Sequence, residues 1–278
     1  MAKKQIDLRM AMNAISDVVQ NRPRPLREFD QIYMKSGDMV MQTEFVANWV
    51  EDKNVAFIGD GDAISISIAY FKHCGITEYG PKSVTVFDFD ERIVEAIRRF
   101  AQKEDIPNLT AELYNVLDAF PKPGAFDLFY TNPPWGQHND GESVNVFAQR
   151  GMEAVGYRGD GMIVIADDKE LEWPKQVLGK VQRFGAESGY FVSRMMPRLH
   201  LYHLDDAPDL QSCNLVLSAL PGAARAVEST PVVEPERLNN FYGRSKAPRV
   251  RYVREKKRLN YGMANEDEYE LILLEGQS

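Results

Sequence analysis

The tetrapeptide Asn132-Pro133-Pro134-Trp135, directly after the apolar segment 126–130, carries the most specific chemistry in this sequence. Two consecutive prolines stiffen a loop and leave its carbonyls without internal donors. The Asn132 amide oxygen and the Pro133 carbonyl then form an acceptor pair for the two N–H bonds of an amine or amide. That pairing aims the nitrogen lone pair at an electrophile. Trp135 would cover the site or attract a cation through its π face.

Three further loops follow apolar segments in the same way. The first, Gly59-Asp60-Gly61-Asp62, has glycines that let backbone approach a bound molecule. Such turns also serve dinucleotides, but two carboxylates in the cradle would repel a pyrophosphate and welcome a positively charged ligand. Asp62 is also placed to take a proton from an ammonium nucleophile. In the second loop, Asp88-Phe-Asp90-Glu91, a carboxylate can accept from both hydroxyls of a ribose; Asp88 is the better candidate, and Asp90 either touches ligand or caps the next helix. In the third, Asn115 and Val116 offer backbone and an apolar wall to a purine, or simply a surface loop.

These loops need a scaffold that brings them to one side, and the sequence pattern supplies it. Short apolar runs at 55–58, 83–87, 109–114, 126–130 and 161–165 alternate with helical patterns at 63–72, 91–102, 144–155 and 171–184. This alternation predicts an α/β fold, a doubly wound and mostly parallel seven-stranded sheet. Segments 190–202 and 212–220 pair as an antiparallel edge, and the ligand crevice lies at the carboxyl ends of the parallel strands. Helical spacing at 5–20, through Ile6, Met10, Ala14 and Val18, predicts a helix stopped by Pro23 and Pro25, and 42–50 predicts another. The chain therefore divides into a helical prelude (1–40), an α/β domain (41–221) and a C-terminal extension (222–278), in which 269–274 is a further strand candidate.

The 278 residues carry 33 Lys+Arg against 41 Asp+Glu, a net charge of -8, which disfavours wrapping on a phosphate backbone and favours cationic partners. Two cysteines, no apolar run of about 18 residues and no apolar signal core predict a cytoplasmic protein without a membrane segment. His138, His200 and His203 lack thiolate or carboxylate companions at ligand spacing, so no metal is expected and core or rim roles are preferred. The basic run 244–258, with Tyr242 and Tyr252 interleaved, keeps nucleic acid open as a partner, although Glu266-Asp267-Glu268 would neutralise part of it. A homodimer is left open as well.

With these residues in place, the chain resembles the class I S-adenosylmethionine-dependent transferases over residues 40–220: Gly59-Asp60-Gly61 stands as cofactor loop, Asp88 as ribose acid, Asn132-Pro133-Pro134-Trp135 as amino-group motif. It is more closely similar to the branched-chain polyamine synthases, aminopropyltransferases that make bis-aminopropyl spermidine. That similarity rests on Asp30-Gln31, Gly59-Asp60-Gly61-Asp62, Asp88-Phe-Asp90-Glu91-Arg92 and the Pro-Pro loop followed by Phe147-Ala-Gln-Arg150-Gly151. Two motifs depart from the family pattern: its Gly-Asp-Asp-Asp loop has glycine at position 61, and its Asp-Pro-Pro motif has Asn132. The short prelude stands where the family carries a winged-helix domain. The resemblance implies a Rossmann-like methyltransferase fold and S-adenosylmethionine or its decarboxylated form as cofactor. It also implies aminopropyl transfer to a small cationic amine, a step of polyamine biosynthesis. The alternative is N-methylation of a nucleobase amino group or a protein amide, the chemistry for which an Asn-Pro-Pro-aromatic loop is more typical. Because the decarboxylated cofactor keeps an ammonium and lacks a carboxylate, Asp60 and Asp62 would attract it and repel the ordinary form.

Overall fold

The computed structural model describes residues 6–226 and 228–256. Its strands are β1 (Asn54–Ile58), β2 (Ser83–Asp88), β3 (Leu109–Leu113), β4 (Leu128–Thr131), β5 (Asp160–Ala166), β6 (Tyr190–Leu201) and β7 (Gln211–Ala219). They form one sheet in the order β3-β2-β1-β4-β5-β7-β6. β1 through β5 run parallel, and β7 is antiparallel to both β5 and β6. The order reverses between β1 and β4, and such a switch point opens a crevice above the carboxyl ends of the strands. Because helices cover both faces, β1 and β5 are buried almost throughout, which is why they read as continuous apolar runs.

Six longer helices flank the sheet: α1 (Leu8–Asn21), α2 (Ser36–Trp49), α3 (Ile64–His73), α4 (Glu91–Lys103), α5 (Glu142–Ala154) and α6 (Glu172–Glu187); a single turn, α7 (Pro235–Leu238), follows in the extension. In α4, Ile93, Ile97 and Phe100 face the core at helical spacing. α1 is capped by Asp7, whose carboxylate accepts from the amides of Arg9 and Met10. Its buried stripe is Ala11, Ala14, Ile15 and Val18, so Met10, expected on the inner face, points to solvent. α2 begins at Ser36, six residues before the predicted start, because Met39 and Val40 extend its buried face across the unpromising Ser36-Gly37 pair.

Two glycines set the position of β4. A Cβ on Gly151 of α5 would lie 2.2 Å from the Phe129 ring, and one on Gly161 of β5 would lie 2.0 Å from it. Phe129 is therefore clasped between a helix and a neighbouring strand that only glycine allows to come so close. The loop after β4, which carries Asn132, inherits that placement.

The extension crosses the carboxyl ends of the strands. The Val232 amide donates to the Leu117 carbonyl, Val253 exchanges backbone bonds with Phe89 and Glu91, and Ser143 Oγ donates to the Phe241 carbonyl. Cations of the basic run serve in this attachment: Arg251 pairs with Asp118 and Arg254 with Glu91. The strand candidate at 269–274, the acidic Glu266-Asp267-Glu268, and Lys257 and Arg258 lie outside the described residues. Among the described residues, no helix is long and apolar enough to cross a membrane, and no cluster of metal-ligating side chains forms.

Candidate active site

A cleft lies over the switch point, lined by Gly59, Gly61 and Asp62 after β1, Asp88 after β2, Val116 after β3 and Asn132 through Trp135 after β4. Residues 29–33, ahead of α2, close one side with Asp30 and Tyr33, and Tyr242 of the extension closes another. All four predicted loops thus meet at one cavity.

Asp62 is the acid at its centre. Its Oδ1 accepts from the Met34 amide at 2.7 Å, and its Oδ2 accepts from Asn132 Nδ2 at 2.6 Å. The Arg22 guanidinium stands 4.0 Å from Oδ1, beneath the Tyr33 ring it stacks on at 4.3 Å. Burial pushes the Asp62 carboxyl above its ordinary range, and Arg22 with the two hydrogen bonds pulls back. Asn132 holds its amide between this carboxylate and Trp135, whose Nε1 lies 3.4 Å from the Asn132 Oδ1. The oxygen that the diproline motif was expected to present therefore has a weak indole partner and keeps a lone pair for another donor. Trp135 itself is buried edge-on against Tyr202 at 4.9 Å.

Asp88 is fixed by both neighbouring loops, Oδ2 accepting from the Asp60 amide at 3.1 Å and Oδ1 from the Asp90 amide at 2.9 Å. Burial, with Asp90 adding to it, raises its carboxyl to about 7. The remaining lone pairs face the cleft, the arrangement needed to receive two vicinal hydroxyls.

Three of the candidate cofactor residues make other contacts in the fold, and for Asp90 the helix-cap reading is the one observed. Asp60 does not line the cleft: its two oxygens accept from the amides of Ile64 and Ser65 at 3.0 Å each, closing the amino end of α3. The residue at that helix's cap position, Ala63, has no side chain able to do so, and an orphan amide there would be costly. Asp90 caps α4 through the Arg92 amide, pairs with the Arg92 guanidinium at 2.5 Å and accepts from Gln31. Asn115 donates to the Arg251 carbonyl at 2.7 Å and accepts from the Leu117 amide at 3.0 Å, so it anchors the extension and leaves Val116 to face the cleft.

The aromatic walls were not anticipated. Phe29, Phe89 and Tyr242 form a cluster with ring centroids 5.1 to 6.1 Å apart, and Phe87, Tyr114, Phe147 and Tyr202 line the cleft beside Tyr33 and Trp135. Their only sequence signal was aromatic residues just beyond predicted strand ends or in the extension. The charge of the lining is one-sided: Asp30, Asp62 and Asp88 belong to it, and among the described residues that line it there is no Lys, Arg or His. Burial lifts the half-buried Asp30 carboxyl to about 6.

The family model of the branched-chain polyamine synthase A C-terminal domain matches residues 10–272. A curated N(4)-bis(aminopropyl)spermidine synthase of Thermus thermophilus is 28% identical over 187 residues, 66% of this chain and 50% of that protein. This chain thus spans half the length of that relative. Among solved structures, the branched-chain polyamine synthase of Thermus thermophilus, in complex with N4-aminopropylspermidine and 5′-methylthioadenosine, superposes with a TM-score of 0.68. The identity is 23%, over 84% of this chain and 70% of that one. A putative RNA methyltransferase of Pyrococcus horikoshii superposes with a TM-score of 0.56 at 16% identity, over 77% of this chain and 98% of that one, a likeness of fold.

Proposed function

Since the chain belongs to the branched-chain polyamine synthase A C-terminal domain family, we propose that it transfers an aminopropyl group from decarboxylated S-adenosylmethionine to an amine of a polyamine. The observation that carries this reading is the lining charge: three carboxyls and no cationic side chain. A cavity so charged favours a cosubstrate that has an ammonium and lacks a carboxylate, and an acceptor that is itself a polycation. Ordinary S-adenosylmethionine would bring a carboxylate with no cation to receive it, which weighs against the N-methylation alternative.

The residues divide the work along the cleft. Gly59, Gly61, Val116 and Asp88 suit the nucleoside half, with Asp88 on the ribose hydroxyls and aromatic rings against the purine. Asp62 lies where the aminopropyl and acceptor amines meet. There the acceptor nitrogen must be neutral to react, so Asp62 takes one proton of its ammonium and Asn132 Oδ1 accepts from the single N–H that remains, holding the nitrogen in line, with the Pro133 carbonyl beside it. The nitrogen lone pair forms the new N–C bond as the C–S bond breaks. The sulfonium leaves as neutral methylthioadenosine, and the displaced proton rests on Asp62. Trp135 and Tyr202 exclude water from that corner. The names of the relatives imply spermidine as the acceptor, with its internal nitrogen as nucleophile. The reading requires neither nucleic acid nor a second copy of the chain.

The test is incubation of the protein with either form of the cofactor, each with spermidine, followed by mass spectrometry of the polyamines. Aminopropylated spermidine and methylthioadenosine are expected from the decarboxylated form alone. Methyl transfer from the ordinary cofactor, with no aminopropylated product, refutes the proposal.

A further inference from the structure

The transfer step leaves one buried cation without a role. Arg22 stands at the carboxyl-terminal cap of α1, where the following Pro23 holds its backbone extended, at φ −79° and ψ 146°. Its side chain is buried against the acidic loop. A guanidinium in such a place is costly unless it is paired, since an arginine does not give up its proton in a protein. Burial lowers its ionisation, and Asp62 leads the influences that raise it. The surroundings are built to hold the charge. Cζ lies 4.3 Å from the centroid of the Tyr33 ring, and the Tyr33 hydroxyl donates to the Pro23 carbonyl at 2.9 Å, so the ring is fastened to the residue next to the cation it covers. Tyr33 belongs to the lining of the cleft and Arg22 does not.

Arg22 meets Asp62 in two ways. Its Nη1 donates to the Asp62 main-chain carbonyl at 3.3 Å, whereas the same nitrogen stands 4.0 Å from Oδ1, beyond hydrogen-bond reach. The guanidinium therefore acts on the carboxylate as a charge alone. The carboxylate's own hydrogen bonds come from the Met34 amide and from Asn132, one to each oxygen, and each oxygen keeps a lone pair for a ligand. An arginine bonded to both oxygens would have taken those lone pairs and made the carboxylate a poor base. The other ionisable groups facing Asp62 do not replace this charge. Asp60, in the same loop, is of like sign, and burial with Asp62 beside it lifts its carboxyl. Tyr33, Tyr130 on β4 and Tyr202 after β6 carry phenols that burial raises, so they stay neutral. His203 also favours the ionised carboxylate, but it is exposed, where water screens its charge.

We propose that Arg22 is a positioning residue for the transfer: held under Tyr33, it sets a positive charge behind Asp62 that keeps the carboxylate a base and leaves its free lone pairs to the acceptor ammonium. The consequence for catalysis rests on the aminopropyl-transfer reading, and the coupling of the two charges is testable without it. Carbon-13 NMR of the aspartate carboxyls in the full chain, with the Asp62 signal assigned by its loss in Asp62→Asn, reads that coupling directly. Arg22→Gln, whose amide can still donate to the Asp62 carbonyl, is expected to raise the Asp62 midpoint by about 1 to 3 pH units, and Arg22→Met by as much. Arg22→Lys keeps a charge and should recover most of the shift, and His203→Gln should move the midpoint less than Arg22→Gln does. In kinetics with decarboxylated S-adenosylmethionine and spermidine, kcat of Arg22→Gln should fall about tenfold for each pH unit below the new midpoint and return to within about twofold of the wild type above it. A purely structural role would lower kcat alike at every pH. The proposal is overturned by an unmoved midpoint in the neutral variants, by a shift in Arg22→Met that Arg22→Gln does not share, or by a shift in Arg22→Lys as large as theirs. A larger shift in His203→Gln, or a loss of kcat that no rise in pH restores, overturns it as well. A wild type that makes no aminopropylated product refutes the function, and the carboxyl titration still decides the coupling.

Discussion

Replacing Asp62 by asparagine removes one negative charge from the cleft at nearly constant volume, and the size of the effect can be worked from its surroundings. A carboxylate and an ammonium about 4 Å apart attract by about 4 kcal/mol at an effective dielectric constant of about 20. The Arg22 guanidinium, 4.0 Å from the same carboxylate, already offsets part of that field. Keeping roughly half leaves about 2 kcal/mol, or about thirtyfold in affinity for a cationic ligand. Methylthioadenosine has no aminopropyl ammonium and supplies the control. Titration calorimetry of Asp62→Asn is therefore expected to show decarboxylated S-adenosylmethionine weakened about thirtyfold and methylthioadenosine nearly unaffected. Turnover should fall further, because the new amide cannot take a proton and sets a second donor against Asn132 Nδ2.

The pH dependence follows with its sign. Burial raises the Asp62 carboxyl, so in the free protein it stays protonated above the ordinary carboxylate range, and the cation binds the ionised form. Affinity of the wild type for the decarboxylated cofactor should rise with pH and then level, and that of Asp62→Asn should rise less, since only Asp30 and Asp88 remain to ionise in the lining. Equal weakening of both ligands would make Asp62 a purely structural residue, and no weakening of either would remove it from the site.

Asp88 ionises at about 7 in the fold, above its unfolded value, so the stability it contributes is present at pH below about 4 and is lost as pH rises toward 7. Thermal melts should accordingly show Asp88→Asn gaining on the wild type between these limits, and a constant difference refutes the burial argument. Arg150 is fully buried, with Nη1 on Glu153 at 2.8 Å, Nε on the Val116 carbonyl at 2.8 Å and Nη2 on the Thr230 carbonyl at 2.9 Å. Arg150→Met should cost about 3 to 5 kcal/mol in urea unfolding by leaving Glu153 unpaired, and adding Glu153→Met should recover much of it. Gly151→Ala would press a methyl group into Phe129 and should destabilise by about 1 to 3 kcal/mol while displacing the Asn132 loop, so activity should fall even where the protein remains folded.

The scaffold was legible because burial on both sheet faces leaves a pattern that local residues alone can carry: Val55 to Ile58 and Met162 to Ala166 are continuous apolar runs, and the breaks after them mark the loops that meet at the cleft. Which carboxylate faces the ligand was not legible. Asp60 and Asp62 are two residues apart in one acidic loop, and only three-dimensional bookkeeping separates them. The amino end of α3 needs an acceptor that Ala63 cannot provide, and Asp60 supplies it. The same logic takes Asp90 to α4 and Asn115 to the extension. In each case a backbone group in need of a partner takes a polar side chain that its place beyond a strand end also offered to a ligand. The aromatic wall was hidden for a complementary reason. Tyr242 and Phe29 are more than two hundred residues apart in sequence, and nothing local to either predicts that their rings meet 5.4 Å apart over the cleft. The acids open to a ligand in this cleft are therefore set less by how many its loops carry than by which of them the helix ends leave unclaimed: Asp60 closes the amino end of α3, and Asp62 lines the cleft.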